Sequence, residues 1–322
     1  MRKVLIAGAA VLMVAASLAM ADEPDDGIMG NYSGTIGQNT AVTAKIIALG
    51  HNHYRGIMHY SPMPHMPTKV NIQLRGEKEG NVTTLSGGET GHMSTEVSIK
   101  DGVMTGTTQV KNKKESVNMK RVFLKSPTLG MKPPKGAIVL FDGKNQDQWQ
   151  RWPLKYNLKD DYMEVTGSSL VTKQDFGDCT IHVEFRCPFK PDARGQERGN
   201  SGVYVMGRYE IQVLDNFGDK PAWNLCGGIY KEAVPLVNAC YPPLSWQTYD
   251  IDFTAAKFDA SGKKTQNARI TVKQNGVVIH NNVELSHPTP GGVSGTDAPK
   301  GPLLLQNHHN AVDYRNIWIV PK

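Results

Sequence analysis

Alternation of apolar and polar residues, rather than any helical period, most constrains the fold of this chain. Residues 181–186, 208–213 and 246–253 each alternate with a period of two. Successive side chains of a β-strand point to opposite faces, so this period indicates strands with one buried face. Almost no segment carries an apolar helical period over three turns. The chain is therefore predicted to be all-β.

The turns between these segments indicate antiparallel pairing. Asn275-Gly276 separates the strand-like segments 269–274 and 277–282, and this dipeptide is a strong two-residue hairpin signal. Hairpin-linked strands with one apolar face predict an antiparallel sandwich or jelly roll. The outward face of each strand is then free to line a groove.

The first residues have the pattern of a secretory signal peptide. Met1-Arg2-Lys3 is followed by an apolar run over 4–20 and by Ala19-Met20-Ala21. A transmembrane anchor is the alternative, but the run is short for one and ends in a small-residue cleavage site. We expect a signal peptide over 1–21, a secreted or periplasmic protein, and no stable membrane insertion after its removal.

A Pro/Gly-rich segment over 126–136 divides the rest of the chain and is predicted to be a linker. Short strand-like segments before it predict a small β-rich accessory domain over 22–125. Longer strands follow it over 137–322. Without Arg2 and Lys3 the formal charge is about +4. Its basic residues are scattered, so no nucleic-acid partner is expected.

Four cysteines lie in the larger part, at 179, 187, 226 and 240. Cys179 and Cys187 mark the two ends of one predicted strand, too far apart to bond each other. Cys226 and Cys240 are the better pair, because the chain between them can fold back. Four buried thiols are the alternative.

Three polar strand faces are the candidate site. They are expected to line one concave cleft with convergent carboxylates, amides and a histidine, suited to a polyhydroxylated ligand. Asn200 and Trp246 are expected beside them. Trp223 and Tyr230 are expected in the core, and the alternative is a place at the rim, where either could stack on a sugar ring. The alternative is a solvated outer face. The three faces are His182, Glu184 and Arg186; Glu210 and Gln212; and Gln306 and His308.

Paired acids of an ordinary glycosidase are not evident near Glu210. The next residue on the same strand face as Glu210 is Gln212, which is not an acid. Asp215 falls on the opposite face unless a β-bulge intervenes. A two-carboxylate glycosidase needs an acid/base and a nucleophile at a defined separation. Ordinary retaining hydrolysis is therefore disfavoured.

A series of motifs runs in order between Gly136 and Pro321. They are Val139-Leu140-Phe141-Asp142-Gly143-Lys144 with Trp149, Glu184-Phe185-Arg186, Arg198 to Tyr204, Gly207 to Asp215, Trp246 to Asp250, Gly301 to Gln306 and Tyr314 to Ile319. In these motifs the sequence resembles the 3-keto-disaccharide (3-keto-glycoside) hydrolase domain, formerly a domain of unknown function. This resemblance implies a concanavalin-like jelly-roll β-sandwich.

The resemblance implies cleavage of a small 3-keto-glycoside by removal of the C2 proton, elimination and hydration, with net hydrolysis. Such a route needs a base, an enolate stabiliser and an acid at the leaving oxygen. The roles it implies are divided as follows: Glu184, Glu210 and His308 are candidate acids or bases, Arg186 is the candidate oxyanion partner, and Asn200, Gln212, Asp215, Trp246 and Gln306 are candidate substrate contacts.

Other readings remain open at this stage. A divalent metal could stabilise the enolate instead, with Glu210, Asp215 and His308 as suitable ligands, although no spacing matches a metal signature. The sandwich could bind carbohydrate without turnover, as in lectins. A third reading is a scaffold attached through residues 25–125.

Overall fold

The computed structural model describes residues 25–60, 70–89, 93–110, 112–144, 146–151, 157–159 and 161–322. The predicted signal peptide lies outside these residues. Within them the chain is all-β, as predicted, and the helical content is one short 3₁₀ turn, Gly195–Glu197. None of the described residues forms a helix with the length and apolar composition needed to span a bilayer.

The first eight strands close into a barrel. Each strand pairs antiparallel with the next, and β8 pairs back with β1. Alternation fills the interior, with Val42, Ala44 and Ile46 among its buried side chains. The strands are β1 Gly30–Ile36, β2 Thr40–Ala48, β3 His53–Tyr60, β4 Val70–Glu79, β5 Val82–Glu89, β6 Met93–Lys100, β7 Val103–Val110 and β8 Lys113–Val122.

The remaining strands form a two-sheet sandwich and one separate pair. The smaller sheet has the order β10-β13-β22-β15-β16, the larger β11-β12-β23-β14-β17-β20-β21 with β9 beside β23, and β18 pairs with β19. The strands are β9 Ile138–Phe141, β10 Trp149–Arg151, β11 Asn157–Lys159, β12 Tyr162–Val165, β13 Leu170–Phe176, β14 Cys179–Arg186, β15 Ser201–Val205, β16 Tyr209–Val213, β17 Gln247–Thr254, β18 Lys257–Phe258, β19 Lys264–Gln266, β20 Ala268–Gln274, β21 Val277–Leu285, β22 Gly301–Leu305 and β23 Val312–Pro321.

The core lies between the two sheets, where the apolar halves of the alternating segments meet. Ile181 and Val183 of β14 are buried with Val203 of β15 and Ile211 of β16. The polar residues of β14 and of β16 consequently lie on opposite outer faces of the sandwich.

The Pro/Gly-rich segment does more than connect the two parts. Residues 126–131, here called the strap, lie along the outer face of the larger sheet. The Ser126 hydroxyl is 2.7 Å from that of Thr248, and the Thr128 hydroxyl donates to Asp250 at 2.7 Å. The proline and glycine content of this segment predicts a linker. Composition gives no information about the side-chain hydrogen bonds that hold it on the sheet.

Contacts across the junction hold the barrel against the sandwich. Phe217, from the loop after β16, is buried among the apolar residues of the barrel. The guanidinium group of Arg198 donates to the Ala48 carbonyl at the end of β2, and Arg55 of β3 pairs with Asp219 at 2.6 Å. The loops that follow β14 and β16 therefore form the surface of the sandwich that contacts the barrel, here called the seat of the barrel.

The four cysteines are buried free thiols in the structure. This matches the buried-thiol alternative of the sequence analysis. The Cys226 sulfur lies 3.3 Å from the Tyr249 hydroxyl, and the Cys240 sulfur lies 3.7 Å from the Leu214 carbonyl.

Candidate active site

A polar pocket opens on the outer face of the smaller sheet. Strand alternation builds its floor: Tyr204 of β15 and Glu210 and Gln212 of β16 point outward, while their neighbours along each strand enter the core. The pocket encloses about 150 Å³. Its lining residues are Gln196, Asn200, Tyr204, Glu210, Gln212, Tyr230, Pro290, Gly291, Gln306 and His308.

Two loops wall this floor. Residues 226–230 run beside β16, where the Gln212 N–H donates to the Gly228 carbonyl at 2.9 Å and the Tyr230 N–H to the Glu210 carbonyl at 3.3 Å. Along the same edge of β16, the Glu210 N–H donates to the Thr289 hydroxyl at 2.9 Å. The edge strand is thus satisfied by the 226–230 backbone and by the Thr289 side chain.

Glu210 has the environment of a general acid or base. Its side chain is 3 % exposed, and burial raises the pKa of its carboxyl to about 7, a rise only partly offset by the hydrogen bond with Tyr204. A carboxyl whose pKa is close to neutral can both accept and return a proton at physiological pH.

The amides around Glu210 offer acceptors that nothing else uses. Among the described residues, Asn200 Oδ1 and Gln306 Oε1 are buried without a hydrogen-bond partner. Their nitrogens are engaged: Asn200 Nδ2 donates to Gln196 Oε1 at 3.1 Å, and Gln306 Nε2 to the Tyr204 hydroxyl at 3.0 Å. Unsatisfied buried acceptors carry an energetic penalty that hydroxyl donors of a ligand would remove.

His308 lies at the mouth of the pocket, beyond the end of β22, and its side chain is exposed. Of the two adjacent histidines, His308 lines the pocket, as alternation from Gln306 predicts. The predicted grouping of Glu210, Gln212, Gln306, His308 and Asn200 is therefore found.

The predicted convergence is wrong for Glu184, Arg186 and Trp246. Glu184 and Arg186 belong to β14 in the larger sheet, so the thickness of the core separates them from Glu210. Alternation shows which residues face outward from a strand, but it does not show which sheet the strand joins. That information depends on long-range pairing.

Glu184 is a buried structural carboxylate. It accepts hydrogen bonds from Arg315 Nε at 2.8 Å, from Asn316 Nδ2 at 2.9 Å and from the Gly130 N–H of the strap. Burial alone would raise its pKa, but these bonds and that of His182 lower it to about 2. A carboxylate this acidic is a poor proton acceptor at neutral pH.

Arg186 and Trp246 are engaged with each other. The Arg186 guanidinium binds Asp313 at 2.7 Å and lies 4.9 Å from the Trp246 ring centre. Arg315 lies over the same ring at 4.0 Å, and Tyr162 meets it edge-on. Cation–π contacts therefore occupy the faces that a sugar ring would need.

Asp215 also lies outside the pocket. Its carboxylate pairs with Arg198 Nε at 2.7 Å, and both side chains are nearly fully buried. The metal set of Glu210, Asp215 and His308 is thus not assembled. Among the described residues, no group of three histidine, cysteine or acidic side chains is arranged to hold a metal ion.

Sequence reasoning missed five pocket residues; three of them have polar side chains, namely Gln196, Tyr204 and Tyr230. The sequence could have identified Tyr204, because it alternates with Val203 and Val205 along β15 and therefore faces outward with Gly202. Gln196 and Tyr230 come from loops, where no periodicity reports direction. Tyr230 was expected in the core and instead lines the pocket, packed edge-on against Trp223.

The fold and the pocket together define an all-β protein with a buried acid–amide pocket on the outer face of a sandwich. The model of the 3-keto-α-glucoside-1,2-lyase-like domain matches residues 136–320. The chain belongs to this family, as the sequence resemblance predicts.

Solved structures give further points of comparison. A candidate glycosyl hydrolase from Parabacteroides distasonis is 36 % identical, with 59 % of this chain and 85 % of that chain covered and a TM-score of 0.54. A second candidate glycosyl hydrolase from the same organism is 16 % identical, covers 58 % of this chain and 94 % of that chain, and has a TM-score of 0.44. No curated protein matches the sequence.

Proposed function

We propose that the chain cleaves 3-keto-glycosides at the Glu210 pocket, by C2 proton abstraction, elimination and hydration. The observation that carries this proposal is the buried Glu210 carboxyl, with its pKa of about 7, beside the unpaired amide oxygens of Asn200 and Gln306. Family membership and the similarity to a candidate glycosyl hydrolase support a carbohydrate-active enzyme.

The ketone at C3 determines the chemistry. It acidifies the C2 proton, which the Glu210 carboxylate removes while negative charge develops on the C3 oxygen. The C1–O bond then breaks, the leaving alcohol takes a proton, and a C1=C2 double bond remains. Water adds at C1 and a proton returns to C2, so no enzyme nucleophile has to attack C1.

Neutral donors are available for the developing charge. The amide nitrogens of Asn200, Gln212 and Gln306 each donate one hydrogen bond within the pocket and carry a second N–H, and Tyr230 adds a phenol. Arg186 has no part in this role, because it lies on the other sheet. His308 at the mouth is the group we assign to the leaving oxygen, where the aglycone would extend into solvent.

The experiment is incubation of the protein with a 3-keto-disaccharide in heavy water. Elimination and hydration place deuterium at C2 of the released 3-keto sugar, above the exchange seen without protein, whereas displacement at C1 does not. The matching disaccharide without the ketone should remain intact. Absence of released sugar, with or without added divalent metal ions, would refute the proposal.

Two variants locate the activity. Glu210→Gln should lower turnover by about 10²–10⁴-fold, the usual contribution of a positioned acid or base. Glu184→Gln should retain turnover at a temperature where it is folded. A protein that binds the sugar equally well in wild type and Glu210→Gln, and releases no product, would instead be a lectin-like binding module.

Three further predictions of the sequence analysis are kept as part of this proposal. The sandwich is of the concanavalin-like jelly-roll type, and the chain divides into an accessory domain over 22–125 and a hydrolase-like domain over 137–322. The protein is secreted or periplasmic, on the basis of the leader pattern over 1–21. Detection of the protein in separated culture medium, periplasmic and cytoplasmic fractions measures the last of these.

A further inference from the structure

A buried histidine lies under the strap, on the outer face of the larger sheet. His182 of β14 points away from the core, yet its side chain has no exposed surface. Its cross-strand neighbours are Asp250 of β17 and Trp318 of β23, and the Trp318 ring stacks on the imidazole with 5.1 Å between the ring centres. Because the imidazole is shielded from water, its charge depends on the groups that surround it.

Two carboxylates flank this imidazole, and both also hold the strap. His182 Nδ1 is 2.6 Å from Asp250 Oδ1, and His182 Nε2 is 3.5 Å from Glu184 Oε1. On the strap side, Asp250 accepts a hydrogen bond from the Thr128 hydroxyl, and Glu184 accepts one from the Gly130 N–H. His182 therefore lies at the centre of the strap's attachment to the sheet.

A β-bulge brings one further side chain to this centre. The register between β14 and β23 shifts between His182 and Glu184, and Asn316 of β23 has a positive φ of 43°. Asn316 Nδ2 donates to the Met131 carbonyl at 3.0 Å and to Glu184 Oε1 at 2.9 Å, and lies 3.4 Å from His182 Nε2. An amide nitrogen carries two hydrogens, and these two oxygens use both. His182 Nε2 consequently receives no hydrogen bond from Asn316.

This count of donors indicates that His182 is protonated at both ring nitrogens. A neutral ring that donates from Nδ1 to Asp250 would direct the Nε2 lone pair towards the Glu184 carboxylate. The other neutral tautomer would place a lone pair against Asp250 at the shorter distance, whereas an imidazolium donates to both. Burial alone would lower the pKa of His182, but the hydrogen bonds and charges of Asp250 and Glu184 raise it above the ordinary value of 6.5.

We propose that His182 is a buried imidazolium that fixes the strap to the larger sheet, and that the strap detaches when His182 loses this proton. The neutral ring would leave two buried acceptors, Nε2 and the Glu184 carboxylate, facing each other. Since the folded state binds the proton more tightly, the hold is complete below about pH 6.5 and is lost as pH rises through the folded pKa. The sugar chemistry proposed above is not needed for this inference, because the Glu210 pocket is on the other sheet.

The other charged groups near this site are cations on neighbouring segments. Arg315 of β23 binds the second oxygen of Glu184 at 2.8 Å, and Lys273 of β20 is the cross-strand neighbour of Asp250. The strap itself carries no titratable side chain, and Lys132, just beyond it, lines the cleft beside Glu184. Histidine is the side chain whose charge ordinarily changes between about pH 5 and 8. We therefore assign the release of the strap to His182.

Detachment would change the connection between the two parts of the chain. The strap belongs to the segment that joins the barrel to the sandwich, and it forms one side of an open cleft of about 540 Å³ next to Glu184 and Asn316. Without the strap contacts, that cleft would widen, and the barrel would be held at its seat alone.

The experiment follows hydrogen–deuterium exchange of the full chain by peptide mass spectrometry, from about pH 7 to about pH 9.5. Rates are divided by those of unstructured peptides at the same pH. The amides of Leu129, Gly130 and Met131 are all hydrogen-bonded and report on the strap. Their protection should fall by about 10-fold or more relative to barrel strands β5 to β7, since each unit of raised pKa changes the linked equilibrium about tenfold. Unchanged relative protection would overturn the proposal.

A second measurement reads the histidine directly. The ring carbon chemical shifts of His182 should be those of an imidazolium at about pH 7, although an ordinary histidine is mostly neutral there. A neutral His182 ring at this pH would also overturn the proposal, and this result does not require any variant to fold.

Two variants assign the effect to one residue. His182→Gln can still donate to Asp250 but carries no charge, so its strap should exchange rapidly at about pH 7 and change little at higher pH. His280→Gln is the matched control, because His280 is also buried but bonds the Gly227 carbonyl at 2.7 Å rather than a carboxylate. It should keep the pH dependence of the wild-type strap. A pH-dependent loss of protection that persists in His182→Gln would contradict the proposal.

Discussion

At the residue scale, Gly202 leaves space for the carboxyl group of Glu210, the proposed acid–base group. A methyl group at this position would lie 2.5 Å from Glu210 Oε1, while the Gly202 backbone has no positive φ that an L side chain would strain. We expect Gly202→Ala to displace the carboxyl and to lower kcat/KM by about 10²-fold, the effect of misplacing a catalytic group by an ångström. Steady-state kinetics on a 3-keto-disaccharide measure it.

A matched glycine controls for the substitution itself. Gly295 has open space around its would-be methyl group and no positive φ, so Gly295→Ala should leave the kinetics unchanged. Equal activity of Gly202→Ala and wild type would show that the Glu210 position does not govern turnover.

Glu210 should also make stability depend on pH. Its folded pKa of about 7 lies above the ordinary 4.5, so the folded state holds the proton more tightly than the unfolded state. The free energy of unfolding should therefore fall as pH rises from about 4.5 to about 7, by on the order of 3 kcal/mol. Glu210→Gln should lack this decline in urea titrations at a series of pH values.

At the scale of elements, the strap depends on Glu184. Glu184→Gln removes the charge that binds Arg315 and weakens the bond to the Gly130 N–H. Breaking a buried ion pair costs about 3–5 kcal/mol, and we expect a loss of this order in the free energy of unfolding at neutral pH. Because the folded pKa of Glu184 is about 2, the loss should shrink as pH falls from about 4.5 towards 2.

An exposed carboxylate gives the comparison for Glu184. Glu284 pairs with Arg269 at 3.0 Å, but both side chains are exposed, so Glu284→Gln should cost less than about 1 kcal/mol. Equal losses for the two variants in urea unfolding would mean that the strap does not rely on Glu184.

Elements also mark the limit of what the sequence predicts. Alternation correctly gives the outward residues of β14 and β16, and the Asn275-Gly276 hairpin joins β20 to β21 as predicted. Alternation cannot assign β14 and β16 to different sheets, because that assignment depends on pairing between distant strands, such as β14 with β23. For this reason the predicted grouping of Glu210 and Gln212 with Gln306 and His308 is found in one pocket, whereas Glu184 and Arg186 lie on the other sheet.

At the scale of the whole molecule, one short loop, residues 194–198, contacts both the barrel and the pocket. Arg194 and Arg198 both hold barrel carbonyls, those of Leu49 and Ala48, and Gln196 lies between them in the 3₁₀ turn. Gln196 Oε1 accepts hydrogen bonds from the amides of Asn200 and Gln212 in the pocket. The seat of the barrel is therefore also a support for the pocket amides.

Arg198→Lys tests this support, because a lysine cannot bind Asp215 and the Ala48 carbonyl together in the geometry of a guanidinium. We expect KM for the 3-keto-disaccharide to rise by about 10-fold with a smaller change in kcat, since Gln196 holds the amides proposed to bind the sugar and takes no part in the proposed proton transfer. Gln196→Ala should raise KM similarly.

If Arg198 acts through Gln196, the double variant of Arg198→Lys and Gln196→Ala should be no worse than Gln196→Ala alone. Arg55→Lys, at the separate barrel contact with Asp219, should leave KM unchanged. Additive effects of Arg198→Lys and Gln196→Ala on KM would instead mean that Arg198 does not act through Gln196.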